Sequence, residues 1–188
     1  MVPTFTIYTG PMYGSKTSRL IADVDRFSRQ KRKVLAFKPR IDDRYSESKI
    51  CSHSGAEVSA YCVSNGNDVM KIVLENLSSE RPNTDYVVAV DEAFMIDGVS
   101  STLLEVFKKG ITVVVSSIQL SANFKPFEEM QAMMPYATKI EVCPAVCPET
   151  GEDAYYTFSK LNVGHDPVIG GEGMYEPRSF YAHPTLNS

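Results

Sequence analysis

The chain is 188 residues long, 43% hydrophobic, and carries 19 basic against 23 acidic residues for a net charge of −4. That length is enough for one sizeable core and a small appended lobe. The mildly acidic balance excludes a diffuse cationic footprint for a nucleic-acid polymer or an anionic membrane, so any phosphate the protein binds must be gripped locally.

An apolar strand at Phe5 to Tyr8 runs into Gly10-Pro-Met-Tyr-Gly-Ser-Lys-Thr17. A helix is expected from about Ser15 to Arg29, with Leu20, Ile21, Val24 and Phe27 at helical spacing. The eight residues nearly spell a phosphate-binding loop (P-loop): Gly10, Lys16 and Thr17 fit, while Ser15 stands where the second glycine belongs and Gly14 lies one place early. In such a loop, backbone N–H groups at a helix N-terminus point at an anion, a lysine reaches the terminal phosphates, and a hydroxyl takes a Mg²⁺ ligand position. Lys16 and Thr17 suit the last two roles. If position 15 must be left-handed, serine costs about 1–2 kcal/mol that glycine would not. The alternative is an ordinary strand-turn-helix with a chance Lys-Thr pair. The basic run Arg29-Gln-Lys-Arg-Lys33 is expected to be the solvated end of the helix.

A strand at Val34 to Phe37 follows, then a polar loop punctuated by Pro39 and a region to Val63 that can carry a short hairpin. Asn67 to Leu77 is helical in spacing through Val69, Ile72, Val73 and Leu77. Tyr86-Val-Val-Ala-Val90 is a continuous apolar run, as expected of a buried parallel strand, and it ends in Asp91-Glu92. A carboxylate at such a strand end can hold the Mg²⁺ bound to Thr17, and its neighbour can accept a proton from an attacking hydroxyl. A plain helix-capping acidic pair is the alternative. A helix over 101–109 and a strand at Ile111 to Val115 complete the alternation. It predicts an α/β fold of P-loop NTPase type over residues 1–138, a parallel sheet flanked by helices, with ligands beyond the C-terminal strand ends.

Residues 139–188 read as a small loop-rich lobe, with two Cys, repeated Gly and Tyr and no helical period. No apolar stretch approaches the roughly 18 residues needed to span a bilayer, and the N-terminus lacks the sections of a signal peptide. A cytoplasmic protein without membrane or nucleic-acid-polymer partners is expected. Cys51, Cys62, Cys143 and Cys147 do not form the framework of a secreted scaffold, which leaves reduced thiols or a metal site.

The string Phe37-Lys-Pro-Arg-Ile-Asp-Asp-Arg-Tyr-Ser-Glu47, followed by Ser52-His-Ser-Gly55, resembles the corresponding segment of the type II thymidine kinases. Gly10-Pro-Met-Tyr13 is similar to that family's Gly-Pro-Met-Phe, and Asp91-Glu92-Ala93 to its Asp-Glu-Ala-Gln. Val168-Ile-Gly-Gly171 and Tyr175-Glu-Pro-Arg178 resemble the loop that closes over the nucleoside, here expected around Gly170 to Pro177. The matches fall in family order across nearly the whole chain.

The resemblance implies transfer of the γ-phosphoryl group of ATP to the 5′-hydroxyl of thymidine, giving dTMP, with Mg²⁺ as cofactor, in a homodimer or homotetramer. It makes Glu92 the catalytic base. It places ATP and its phosphates on Gly10, Pro11, Met12, Tyr13, Gly14, Ser15, Lys16, Thr17, Asp42, Arg44 and Asp91, with Thr17 and Asp91 serving the Mg²⁺. Met12, Phe94, Phe124, Thr157 and Tyr175 would line the thymidine pocket; for Met12 and Tyr175, core packing is the alternative. Phe94 stands where the family has Gln, its aromatic and arginine fall on Ala122 and Asn123, and Phe124 can supply the ring from a shifted register. A structural zinc in a degenerate zinc-ribbon-like lobe would fall on Cys143, Cys147 and His183, with Ser179 where a Cys is expected; buried reduced thiols are the alternative. His53 is expected to be a satisfied structural imidazole. Two other readings remain: a kinase for another deoxynucleoside, such as deoxyuridine or a 5-modified pyrimidine, and a non-catalytic nucleotide-binding relative.

Overall fold

The apolar runs of the sequence become strands buried on both faces. The computed structural model describes residues 2–42, 48–160 and 173–187. Its strands begin with β1 (Phe5–Thr9), β2 (Lys33–Pro39), the antiparallel hairpin β3 (Lys49–Cys51) and β4 (Glu57–Ser59), and β5 (Tyr61–Val63). They continue with β6 (Tyr86–Asp91), β7 (Thr112–Ser116) and β8 (Lys139–Val142). Six of them form one wholly parallel sheet in the order β5-β2-β6-β7-β1-β8.

Alternation along the strands sends successive side chains to opposite faces. Ala36, Val87, Ala89 and Val114 pack with Leu20, Ile21, Val24 and Phe27 of helix α1 (Lys16–Arg29). Leu35, Phe37, Val88, Val90, Val113 and Val115 meet the other layer of helices. These are α2 (Gly66–Asn76), α3 (Val99–Lys108) and α4 (Glu128–Met133), contributing Val69, Val73, Leu103, Val106, Met130 and Met133. The three layers and the parallel sheet are those of the expected P-loop NTPase-like α/β fold.

Three features depart from the local reading. Arg32, in the run expected to be solvated, is buried: its guanidinium donates to the Tyr86 carbonyl at 3.0 Å and the Thr112 hydroxyl at 2.9 Å, and lies 4.8 Å from the Phe27 ring. The strand Lys139–Val142 lies in the segment expected to form the lobe, yet it pairs with β1 and extends the main sheet. Helix α3 starts at Val99, ahead of the expected 101. The Glu129 carboxylate of α4 accepts from the N–H groups of Gly98 and Ser100, both at 2.7 Å, and so caps the helix from a distant element.

Beyond the sheet, two short antiparallel ribbons carry the C-terminal part: β9 (Ala145–Val146) with β10 (Asp153–Ala154), and β11 (Tyr156–Ser159) with β12 (Tyr175–Arg178).

Leu20 is fully buried between α1 and the sheet. Leu20→Ala is expected to lower stability by about 3 kcal/mol, the usual cost of a core cavity. Urea unfolding followed by circular dichroism measures it.

Candidate active site

The P-loop is shaped by a main-chain contact. β8 pairs with β1 and the Cys143 N–H donates to the Thr9 carbonyl at 2.7 Å, which sets the Cys143 carbonyl directly against the loop. A Cβ at Gly14 would lie 2.5 Å from that oxygen, and one at Gly10 would lie closer still. Gly10 also has φ +131°, a conformation open to glycine but strained for other residues. The loop then turns through two left-handed non-glycine residues, Tyr13 at φ 65° and Ser15 at φ 57°. Position 15 is therefore left-handed, and serine there carries the strain anticipated from the sequence.

The result aims charge at one place. α1 opens at Lys16 with no acidic residue in its first turn, so the N-terminal end of the helix presents positive potential. Lys16 is buried, and its ammonium folds back to donate to the Pro11 carbonyl at 2.5 Å. The Thr17 hydroxyl reaches Asp91, 3.1 Å from Oδ1 and 3.3 Å from Oδ2. Thus the end of β6 and the start of α1 meet, although β7 lies between β6 and β1 in the sheet.

Asp91 is buried, and its carboxyl is held well above the ordinary carboxylate range. Burial is the main cause and the neighbouring negative charge of Glu92 the second; the Ser116 and Thr17 hydroxyls and the Lys16 charge oppose them. Ser116 sits opposite Asp91 in the β6–β7 register, and its buried hydroxyl lies outside full hydrogen-bond geometry with any described residue. Two hydroxyls around a buried carboxylate are the hard oxygen donors a Mg²⁺ ion requires, so the residues fit the expected cofactor. Glu92 has φ 48°, a strained backbone that turns its half-buried side chain into the same cavity.

That cavity is an open cleft of about 1330 Å³, including the solvent at its mouth. Met12, Tyr13, Gly14, Ser15, Lys16, Thr17, Asp42, Asp91, Glu92, Phe94, Thr157 and Tyr175 all line it. Gly10, Pro11 and Phe124 instead line a smaller neighbouring pocket, which Thr157 also borders. Phe124 does not supply a ring to the main cavity: it turns outward at φ 58° and packs against Tyr156 and His183, with centroids 5.6 and 4.9 Å away. Arg44 and the Val168 to Gly171 segment lie outside the described residues.

Sequence reasoning missed several cavity residues. Lys38 is buried and lines the cavity. The register Phe37↔Val90 places it beside Asp91, at the same strand-end position in β2 that Asp91 holds in β6, and that parallel was a readable signal. Phe127, whose ring lies 4.5 Å from Phe94, and Ile118, Leu120 and Ala122 form its apolar part. His53, expected to be a structural imidazole, is exposed at the rim with its ring 5.2 Å from Tyr13.

The zinc set expected at Cys143, Cys147 and His183 is not assembled. Cys143 packs into the core on the α1 face behind the P-loop, where burial raises its thiol pKa. Cys147 sits in the separate cluster of the β9–β10 ribbon. His183 is enclosed by the rings of Phe124, Tyr156 and Phe158, with Nε2 3.4 Å from the Thr157 carbonyl; burial lowers its pKa. Among the described residues no three His, Cys, Asp or Glu side chains converge as a metal site.

A family profile described as Thymidine kinase matches residues 4–180. The chain belongs to the thymidine kinase family. Membership makes it a relative of ATP-dependent kinases and accounts for a P-loop facing two carboxylates. Among solved structures, it is similar to the genome packaging NTPase B204 from Sulfolobus turreted icosahedral virus 2 in complex with sulfate. That match has 14% identity and a TM-score of 0.48, over 79% of this chain and 76% of the other. Among the described residues no helix is long and apolar enough to cross a membrane.

Gly14→Ala is expected to abolish ATP binding by driving a methyl group into the Cys143 carbonyl, as read by calorimetric titration. Ser15→Gly is expected to keep binding and to raise stability by about 1 kcal/mol in urea unfolding, through relief of left-handed strain.

Proposed function

We propose that the protein is a thymidine kinase that transfers the γ-phosphoryl group of ATP to the 5′-hydroxyl of thymidine, giving dTMP. The observation that carries this reading is the contact of the Thr17 hydroxyl with Asp91, with Glu92 next in the chain, in the cavity that the P-loop opens onto.

Phosphoryl transfer asks mainly for positioning and for stabilisation of charge spread over the transferring oxygens. The N-terminus of α1 and the Lys16 ammonium supply fixed positive charge at the phosphate end. Thr17 and Asp91 would hold the Mg²⁺, which when bound neutralises β- and γ-phosphate oxygens. Glu92 takes the proton of the attacking 5′-hydroxyl, and Asp42 adds a further carboxylate to the cavity lining. Thymidine fits the apolar end, where Met12, Phe94 and Phe127 offer contact surface and Thr157 and Tyr175 of the β11–β12 ribbon offer polar groups. A homodimer or homotetramer in the cytoplasm belongs to the same proposal.

One observation favours a second reading. With Phe124 turned out, the wall near the base is built from Ser121, Ala122 and Asn123, which are small or polar. Such a wall suits a pyrimidine with a 5-substituent larger than methyl.

The test is transfer from ATP with Mg²⁺ to a panel of nucleosides, including 5-substituted deoxyuridines. Thymidine turnover is expected, and Lys16→Ala or Glu92→Gln should each lower kcat by at least about 100-fold. Glu92→Gln should retain ATP affinity. Turnover confined to a bulkier pyrimidine would transfer the assignment to the second reading, and ATP binding without any turnover would refute both.

A further inference from the structure

We propose that a hydrogen-bonded knot of Cys147, Thr150 and Ser179 closes the C-terminal lobe at the place where a four-ligand metal would sit, so that the lobe is folded without metal. The two turns that meet there each present a pair of side chains separated by two residues: Cys147-Pro-Glu-Thr150 and Ser179-Phe-Tyr-Ala182. That is the spacing of a two-turn metal knuckle. The matching pair is Cys147 with position 150, whereas Cys143 lies apart in the core behind the P-loop.

The contacts bring the four positions together. The Thr150 and Ser179 hydroxyls are 3.1 Å apart. Cys147 packs with Ala145 and Ala154 in the same junction, and the Thr150 hydroxyl and the backbone N–H groups of Ser179, Thr150 and Glu149 lie near its sulfur. The Ala182 side chain packs against the cluster of Ala145, Cys147 and Ala154. Cys147 and Ser179 are buried, at 1% and 2% exposure, so this is an interior junction. The Cys147 N–H donates to the Glu152 carbonyl at 2.8 Å, and the Gly151 N–H to the Cys147 carbonyl at 2.9 Å, which fixes the first turn.

The donor set decides against a metal. A structural zinc takes four ligands from Cys sulfur, His nitrogen and carboxylate oxygen. Here the four positions offer one thiol, two alcohols and a methyl group. The two alcohols satisfy each other instead, at 3.1 Å, with the Thr150 hydroxyl also near the Cys147 sulfur.

The knot also reaches the active site. Tyr13 of the P-loop packs on the same Ala145, Cys147 and Ala154 cluster, so the junction backs the left-handed turn of that loop.

The full-length chain, purified without added metal, is expected to hold less than about 0.1 zinc per chain by elemental analysis and to keep its Tm in chelator. Stoichiometric zinc, with a Tm that falls on chelation, would overturn the proposal. In a second arm, T150C/S179C/A182C is expected to take up one Zn²⁺ or Co²⁺ per chain, with thiolate-to-cobalt absorption and a Tm that becomes chelator-sensitive. A folded triple variant that binds neither metal would show that the four positions do not converge. Ser179→Ala serves if the triple variant fails to fold. It should lower Tm by about 3 °C, and an unchanged Tm would count against the knot. None of these readouts uses phosphoryl transfer, so they stand or fall separately from the kinase reading.

Discussion

The approach of the Cys143 carbonyl to Gly10 and Gly14 is the constraint on which the rest of the site depends. It exists because β8 adds to the β1 edge of the sheet and ends level with the turn that follows Thr9. No side chain larger than hydrogen fits at either glycine, so the loop can run only along one path, through left-handed Tyr13 and Ser15. That path determines where α1 begins and therefore where its N-terminal end and Lys16 point. The same strand leads directly into β9, so one stretch of main chain shapes the P-loop from behind and then starts the lobe.

Electrostatics at the strand ends then decide what the cavity can accept. Two adjacent acidic residues and two lysines line one cavity. Like charges about 5 Å apart repel by roughly 3 kcal/mol at an effective dielectric of 20. A single hydrogen bond such as that from Thr17 to Asp91 returns about 1 kcal/mol. Burial first, and then the charge of Glu92, outweigh the hydroxyl contacts and the Lys16 charge, which is why Asp91 holds its proton above the ordinary carboxylate range.

The C-terminal lobe solves a different problem. Among the described residues its own buried apolar cluster is small, consisting of Ala145, Cys147 and Ala154. It persists by leaning on Tyr13 and by joining its turns with polar contacts, among them the ion pairs of Arg178 with Glu149 and Glu176. The aromatic enclosure of His183 by Phe124, Tyr156 and Phe158 serves the same end and draws Phe124 away from the cavity. The shape of the cavity wall near Ser121 to Asn123 is in this way a by-product of how the lobe is packed.

Local pattern carried much of this. The five-residue run from Tyr86 to Val90, the helical spacing of Leu20, Ile21, Val24 and Phe27, and the Gly-Lys-Thr frame of the P-loop were enough to indicate the parallel α/β architecture and to single out Lys16, Thr17 and Asp91, which line one cavity. Those signals are periodic or short-range, and backbone geometry reads them directly. Tertiary structure alone decided that Arg32 turns inward to Tyr86 and Thr112, that Glu129 caps α3, that Lys38 comes to lie beside Asp91, and that the Thr150 and Ser179 hydroxyls meet while Cys143 packs into the core. Each is a meeting of residues far apart in the chain or on different strands. Its energy depends on burial and on which polar groups are left to be satisfied, quantities that exist only once the layers have packed.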